Sequence, residues 1–164
     1  MPPRLNAAKA GPAAYHAMLG LEQYVKQSGL EQSLIELIKL RASYMNGCAY
    51  CIDMHSKDAL AEGETVQRIV SVPVWRETPF YTERERAALA WTEAVTELHP
   101  DHVSDEVYRE TNKHFTDEEM VKLTMAVVAI NGWNRLAISF RQEPGSYQRP
   151  EAAKGPTKSA QAAA

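Results

Sequence analysis

Residues 36–64 have the sequence ELIKLRASYMNGCAYCIDMHSKDALAEGE, and they set the expected architecture of the chain. Four apolar residues in and just before this stretch recur at helical spacing: Leu34, Leu37, Ile38 and Met45. The stripe predicts a helix from about Gln32 to Asn46 that ends at Gly47. A second helix is predicted from near Cys48 to Gly63, because glycine commonly ends helices.

The rest of the chain carries helix signals of the same kind. Only three prolines occur between residues 13 and 143, and such long proline-free stretches favour helices. Helix starts are predicted at a first-turn proline or at a capping side chain: Pro12, Thr65, Thr82, Ser104 and Thr116. Two of these starts are capping boxes, in which Thr82 pairs with Glu85 and Thr116 with Glu119. The sequence therefore predicts an all-α domain of about six or seven helices.

Several segments carry more specific expectations. The run LTMAVVAI at 123–130 is apolar on every side, which predicts a central helix that is buried all round. The segment VPVWRETPFY at 72–81 is interpreted as a loop with apolar anchors, and ERER at 83–86 as a solvated helix face. We place the domain at residues 1–143 and expect a flexible C-terminal tail at 144–164, where large apolar residues are few.

The composition excludes several classes of protein. Of 164 residues, 45% are apolar and 24% charged, which is typical of one soluble globular domain. The formal charge of −3 gives no electrostatic case for nucleic acid or an anionic membrane. No apolar run approaches the roughly 20 residues that span a bilayer, and the N-terminus lacks the apolar core of a secretory signal. The two cysteines are too few for a disulfide scaffold, which predicts a cytoplasmic location.

Those two cysteines, Cys48 and Cys51, form a CxxC motif at a predicted helix start. The motif brings two sulfurs within bonding reach, and a helix N-terminus lowers a cysteine pKa from about 8.5 toward neutral. His55 follows Cys51 by four residues, so it lies on the same helix face one turn away. An imidazole there can take the thiol proton or stabilise the thiolate. One interpretation is therefore a redox-active dithiol.

Other interpretations of these residues stay open at this point. The two cysteines and His55 could be three ligands of a structural zinc site, with Glu36 or another histidine as the fourth. They could also be two ordinary buried cysteines beside an unrelated histidine. Covalent haem attachment is excluded, because Ile52 follows the second cysteine where a histidine is needed. By spacing alone, Glu36 is most simply a solvent-exposed glutamate near Lys39.

Residues 36–64 resemble the core of the carboxymuconolactone decarboxylase superfamily, and within it the alkyl hydroperoxidase D-like (AhpD-like) branch. The similarity continues through PFYTERERAALAWTEAV and HFTDEEMVKLTMAVVAINGWNRLAISFR, so it covers roughly residues 15–142. The resemblance implies an all-helical fold that assembles into trimers or hexamers. It also implies a thiol-dependent peroxidase of antioxidant defence, which needs no cofactor, reduces a hydroperoxide and is reset by an external dithiol of the lipoyl or thioredoxin type.

The resemblance also assigns roles to four residues. The family's working set is a glutamate twelve residues before the first cysteine, both cysteines, and a histidine four residues after the second: here Glu36, Cys48, Cys51 and His55. By this carry-over, Cys51 attacks the peroxide, activated through His55 and Glu36, and becomes a sulfenic acid. Cys48 then closes the disulfide. Its place nearest the helix N-terminus makes Cys48 the expected more accessible and more acidic thiol, suited to meet the external reductant.

One position departs from the family pattern. Tyr50 precedes the second cysteine directly, where the best-studied branch has a further relay histidine. A phenol with a pKa of about 10 donates a hydrogen bond but is a poor base near neutral pH. The decarboxylase branch does not use a cysteine pair, so the motif argues against that activity here. The alternative function is a non-enzymatic dithiol redox sensor or a stress-response binding protein.

Further polar residues are candidates for lining the active cavity, beside Tyr50: Ser43, Asn131 and Asn134. Ser43 shares the helix side of Glu36 at i+7, and the two asparagines follow the apolar run of the last helix. Buried amides need hydrogen-bond partners, so they could equally be satisfied structural groups. No resident metal is predicted.

Overall fold

The computed structural model describes residues 2–98 and 102–149, and over these residues it confirms the all-α prediction. The described part contains eight α-helices: α1 (Ala7–Ala10), α2 (Pro12–Lys26), α3 (Gln32–Asn46), α4 (Ala49–Ala61), α5 (Val66–Ser71), α6 (Glu83–Thr96), α7 (Asp105–Asn112) and α8 (Asp117–Phe140). A 3₁₀ helix, Val72–Glu77, follows α5 directly. The count exceeds the predicted six or seven because α1 is a separate helix of four residues.

The predicted helix boundaries are confirmed by their caps. Gly47 ends α3 with φ of 66°, a left-handed conformation that glycine adopts without strain. Thr82 and Thr116 each accept a hydrogen bond from the backbone of a glutamate three residues on, and that glutamate bonds back. Thr65 and Ser104 cap α5 and α7 in the same way, without the returning bond.

The helix at the centre of the fold is α3. Nine of its fifteen residues are buried, and it packs against α4, α6 and α8. The prediction that the last long helix is buried all round was wrong, because α8 leaves Val121 and Val128 exposed at 60% and 46%. The inner face of α8 packs Leu123 and Val127 into the main core, so its apolar outer face is not covered by the described chain.

Two local interpretations need correction. The segment at 72–81, interpreted as a loop, begins with the 3₁₀ helix and buries Val72 and Trp75. The ERER segment is not a solvated face, although Glu83 is exposed. Arg84 lies over the ring of Phe115, 3.9 Å from its centroid, and pairs with two glutamates on other segments. These contacts tie the start of α6 to its neighbours.

The end of the described chain returns to α4. Past the predicted boundary at residue 143, the backbone N–H of Gly145 donates to Asp53 at 3.1 Å and the Tyr147 hydroxyl donates to Asp58 at 2.9 Å. Residues 150–164 of the predicted tail lie outside the described residues. None of the helices in the described part combines the length and apolar character that a membrane crossing requires.

Candidate active site

The turn between α3 and α4 places both cysteines in the interior. Because Gly47 turns the chain at the end of α3, Cys48 becomes the N-cap residue of α4, and its sulfur accepts the backbone N–H of Cys51 at 3.4 Å. The two sulfurs are 2.7 Å apart, and each cysteine is only 1% exposed. Both are free thiols, so the pair is a reduced dithiol that needs little motion to form a disulfide.

The two thiols differ in acidity. A hydrogen bond from Cys51 lowers the pKa of Cys48 below its ordinary value, against burial, and the N–H groups of the helix start and Asn134 add to this effect. The same contact with Cys48, together with burial, raises the pKa of Cys51. Of the two thiols, Cys48 is therefore the one that ionises more readily, and the Cys51 thiol donates to it when it does.

The two thiols also differ in what they face. A cavity of about 520 Å³ lies between α2, α3, α4, α8 and the segment around Tyr147, and Cys51 lines it while Cys48 does not. The expectation that Cys48 is the more accessible thiol was therefore wrong, since the N-cap position holds its sulfur behind that of Cys51. Its greater acidity agrees with the expectation from the helix N-terminus.

Glu36 and His55 form a buried pair beside this cavity. The His55 Nδ1 and the Glu36 Oε2 atoms are 2.8 Å apart, and each residue is 4% exposed, so Glu36 is not the solvent-exposed glutamate that spacing alone suggested. Burial alone would raise the pKa of Glu36. The net pKa is nevertheless lowered below its ordinary value, because the opposing effects are larger: the hydrogen bond and charge of His55, the charge of Lys39 and a hydrogen bond from Gln32. Glu36 is thus a carboxylate that accepts the Nδ1–H of His55.

The second ring nitrogen of His55 has no hydrogen-bond partner within the described residues. Nε2 is buried, and no bond joins it to Cys51, although both residues line the cavity. With Nδ1 as the donor to Glu36, Nε2 is the nitrogen that carries the free lone pair whenever the ring is neutral. A buried nitrogen that has no partner and belongs to a residue lining a cavity is typical of a group that binds or exchanges a proton with a bound molecule.

A charged cluster lines this side of the dithiol: Glu22, Glu36, Lys39 and His55. Lys39 follows Glu36 by three residues on α3 and is 1% exposed. Its ammonium is paired with Glu22 of α2. Tyr50, a predicted cavity residue, also lines the cavity, and its pKa is raised, first by burial, so the phenol stays protonated near neutral pH and does not serve as a base.

An amide cluster lies on the opposite side of the dithiol: Ser43, Asn46, Asn131 and Asn134. Asn46 donates to the side-chain oxygens of both Asn131 and Asn134 at 2.9 Å, and Asn134 donates to the Ser43 hydroxyl at 3.1 Å. Three of its members were predicted to be candidate cavity residues, and the structure places all three behind the cysteines rather than among the residues that line the cavity. Asn134 is fully buried and lowers the pKa of both thiols.

Comparison with known proteins identifies the family of the chain. Residues 12–94 match the model of the carboxymuconolactone decarboxylase family. The chain belongs to this family. Among its relatives, the uncharacterized protein YdfG of Bacillus subtilis (strain 168) is 40% identical over 146 residues, which are 89% of this chain and 99% of YdfG.

Solved structures place the chain with the AhpD-like members of the family. A protein of unknown function from Agrobacterium tumefaciens, proposed to be an antioxidant defence protein AhpD, is 50% identical, with a TM-score of 0.85 over 87% of this chain and 98% of that one. The debrominase Bmp8 has a TM-score of 0.75 at 22% identity, covering 84% of this chain and 74% of Bmp8. At that identity the likeness to Bmp8 shows the fold alone.

Against this family background, the zinc alternative finds little support in the geometry. Three residues could each offer one ligand atom to a metal ion, and these atoms lie within 4.8 Å of one another: Glu36, His55 and Asp58. Over the described ranges neither cysteine joins that group, so the CxxC-based zinc set is not assembled. Asp58 accepts the Tyr147 hydroxyl and Glu36 accepts His55, so these carboxylates already have hydrogen-bond partners.

Sequence reasoning missed some members of this candidate site. From the sequence, Lys39 is interpreted only as a charged neighbour of a solvent-exposed Glu36. In the structure the two residues share a buried helix face. Their i, i+3 spacing was the available signal. Asp58 carries the same signal, since it follows His55 by three residues on α4. The contact of Tyr147 with Asp58 spans 89 residues and leaves no local pattern in the sequence.

Proposed function

We propose that the protein is a thiol-dependent hydroperoxide reductase of antioxidant defence, with Cys51 as the attacking thiol, Cys48 as the resolving thiol, and His55 and Glu36 as the proton relay. The observation that carries this proposal is the unpartnered, buried Nε2 of His55 in the cavity that Cys51 lines. The other nitrogen of the ring is bound to Glu36, which holds the ring proton on Nδ1 and leaves the lone pair of a neutral ring on Nε2.

The first step oxidises Cys51. Its sulfur attacks the terminal oxygen of the hydroperoxide, an S–O bond forms and the O–O bond breaks. Because the pKa of Cys51 is raised, its proton must be removed during attack. The Cys51 proton passes to His55 Nε2 through an oxygen atom that is bound between the two side chains. It then passes from His55 to the departing alkoxide. The products are the Cys51 sulfenic acid and an alcohol.

The second step oxidises Cys48. Its thiolate attacks the Cys51 sulfur, the S–O bond breaks, and hydroxide leaves and takes a proton to become water. The lowered pKa of Cys48 and the 2.7 Å separation suit this role, because Cys48 loses its proton more readily than an ordinary thiol and is in contact with its target. The dithiol supplies both electrons, so the reaction needs no metal or organic cofactor.

The third step restores the dithiol. An external dithiol of the lipoyl or thioredoxin type reduces the disulfide, and a cytoplasmic location would supply one. Because the sulfur that faces the cavity belongs to Cys51, we propose that the reductant attacks there and not at Cys48. The proposal includes a trimer or hexamer, in which the exposed apolar residues of α8 would be buried.

Steady-state peroxide consumption tests this function. Hydrogen peroxide, tert-butyl hydroperoxide and cumene hydroperoxide are each supplied with dihydrolipoamide or thioredoxin as reductant. Turnover should be lost in Cys51→Ser and in Cys48→Ser, and kept in His16→Ala, which changes an exposed histidine on α2. Full activity in both cysteine variants would contradict the proposal. A disulfide that forms with peroxide but turns over slowly with every reductant would favour the redox sensor.

A further inference from the structure

The fold buries a lysine that the steps above do not use. Lys39 is 1% exposed and is among the largest fully buried side chains in the described residues. A buried ammonium is costly unless it is paired, and here Glu22 of α2 is its partner. The other oxygen of Glu22 accepts the indole N–H of Trp133, from α8, at 3.2 Å. Three helices therefore hold this charge in place.

The held charge lies on the cavity side of Glu36. Lys39 follows Glu36 by one helical turn, both line the cavity, and the Lys39 charge favours the ionised form of Glu36. The other charged or titratable groups that line the cavity are Tyr15, Glu22, Lys26, Tyr50, Cys51, His55, Asp58, Glu62, Tyr147 and Arg149. Lys26 is exposed, and Arg149 is paired with Glu62. Lys39 is thus the deeply buried cation that is fixed near Glu36.

We propose that Lys39, held by Glu22, is a positioning residue that keeps the Glu36 carboxyl ionised and so keeps His55 Nε2 free to accept a proton. A neutral Glu36 could donate its own proton to Nδ1 instead of accepting one. The ring would then carry its proton on Nε2, in the cavity, where it could not take the proton of Cys51. This inference rests on the proposed function only in giving Nε2 the role of base.

The test removes the charge of Lys39 together with that of its partner Glu22, so that neither charge is left buried alone. Lys39→Met alone would leave Glu22 buried without its cation, which is strongly destabilising, so the main variant is the double change Glu22→Gln with Lys39→Met. Lys39→Arg, which keeps the positive charge, is the rescue variant. Lys57→Met removes a half-exposed lysine of α4 that pairs with Asp53, and it is the matched control.

The readout is nuclear magnetic resonance of reduced protein, with no peroxide present. The carboxyl carbon of Glu36 should titrate at a measurably higher pH in the double variant, because the charge of Lys39 lowers the pKa of Glu36, whereas Glu22 is not among the main groups that shift it. The ¹⁵N shifts of His55 should show the proton moving from Nδ1 toward Nε2 over the same pH range. Lys57→Met should match the unmodified protein, and Lys39→Arg should lie closer to it than the double variant does.

An unchanged Glu36 titration in a folded double variant would overturn the inference, whatever the peroxidase activity. If the titration shifts as expected but the unmodified protein consumes no peroxide, the role of Lys39 in setting the charge of Glu36 stands and the proposed function fails. The two failures are therefore distinguishable.

Discussion

The two polar clusters that flank the dithiol are built differently. The charged cluster (Glu22, Glu36, Lys39 and His55) adjoins the cavity and leaves one buried nitrogen, His55 Nε2, without a partner. The amide cluster (Ser43, Asn46, Asn131 and Asn134) lies behind the sulfurs, and each of its members bonds to another. We infer that the first moves protons, because its groups can change charge, and that the second only holds Cys48 in position.

The largest effect is expected from His55→Ala, which removes the base of the charged cluster. We expect kcat/KM for tert-butyl hydroperoxide to fall by about 10²–10⁴-fold, the usual contribution of a positioned base. His16→Ala, on the exposed side of α2, should stay within about twofold of the unmodified protein. A change of less than about threefold in His55→Ala would show that His55 is not the base of the reaction.

A smaller effect is expected from Glu36→Gln, which keeps the shape of the side chain and removes its charge. Activity should fall by about 10–100-fold, as it does when the carboxylate that orients a functional histidine is lost. Steady-state kinetics measure this loss, and circular dichroism checks that the variant folds. A loss as large as that of His55→Ala would show that the carboxylate does more than orient the ring.

The charge of Glu36 also predicts how stability depends on pH. The folded pKa of Glu36 lies below its unfolded value, so its ionised form stabilises the fold above the unfolded pKa, and this contribution is lost as pH falls through the folded pKa. Urea unfolding between pH 7 and pH 3 should therefore show a larger loss of stability on acidification in the unmodified protein than in Glu36→Gln. Parallel losses would contradict the lowered pKa.

The smallest effect on activity is expected in the amide cluster. Asn134→Ala leaves the Ser43 hydroxyl and an Asn46 N–H without a partner in the interior, so the free energy of unfolding should fall by about 1–3 kcal/mol. The pKa of Cys48 should rise, because Asn134 lowers it. Activity should fall less than tenfold. Thiolate absorbance against pH and urea unfolding provide the two measurements.

Thr116→Ala is the matched control for that prediction. It removes one half of the capping box of α8, far from the cysteines, and should cost about 1 kcal/mol of stability. The thiol titration should not change. If Asn134→Ala lost activity as strongly as His55→Ala, the division between the two clusters would be wrong.

Much of the fold could be predicted from the sequence because its signals are local. The caps at Thr82 and Thr116 and the stop at Gly47 depend on residues within one helical turn, and the structure confirms them. The exposure of α8 could not be predicted in this way. An apolar run does not show which of its faces a neighbouring helix will cover, and Val128 lies on the face that the described chain leaves open.

The residues of the candidate site also fall into two groups: those that a local sequence pattern predicts and those that it does not. The spacing of Cys48, Cys51 and His55 depends on one helix start, so it could be interpreted from the sequence. The orientation of Glu36 into the protein required the family resemblance, because helical spacing alone is equally consistent with an exposed glutamate. The pairing of Lys39 with Glu22 depends on how α2 packs against α3, and no local pattern encodes that contact.

The assignment of the attacking sulfur is the central claim, and trapping the sulfenic acid tests it most directly. Cys48→Ser and Cys51→Ser are each treated with one equivalent of hydrogen peroxide in the presence of dimedone, and the adduct is located by peptide mass mapping. We predict an adduct on Cys51 in Cys48→Ser and no adduct on Cys48 in Cys51→Ser. The reverse pattern would make the acidic, hidden Cys48 the peroxide-reactive thiol and would contradict the account.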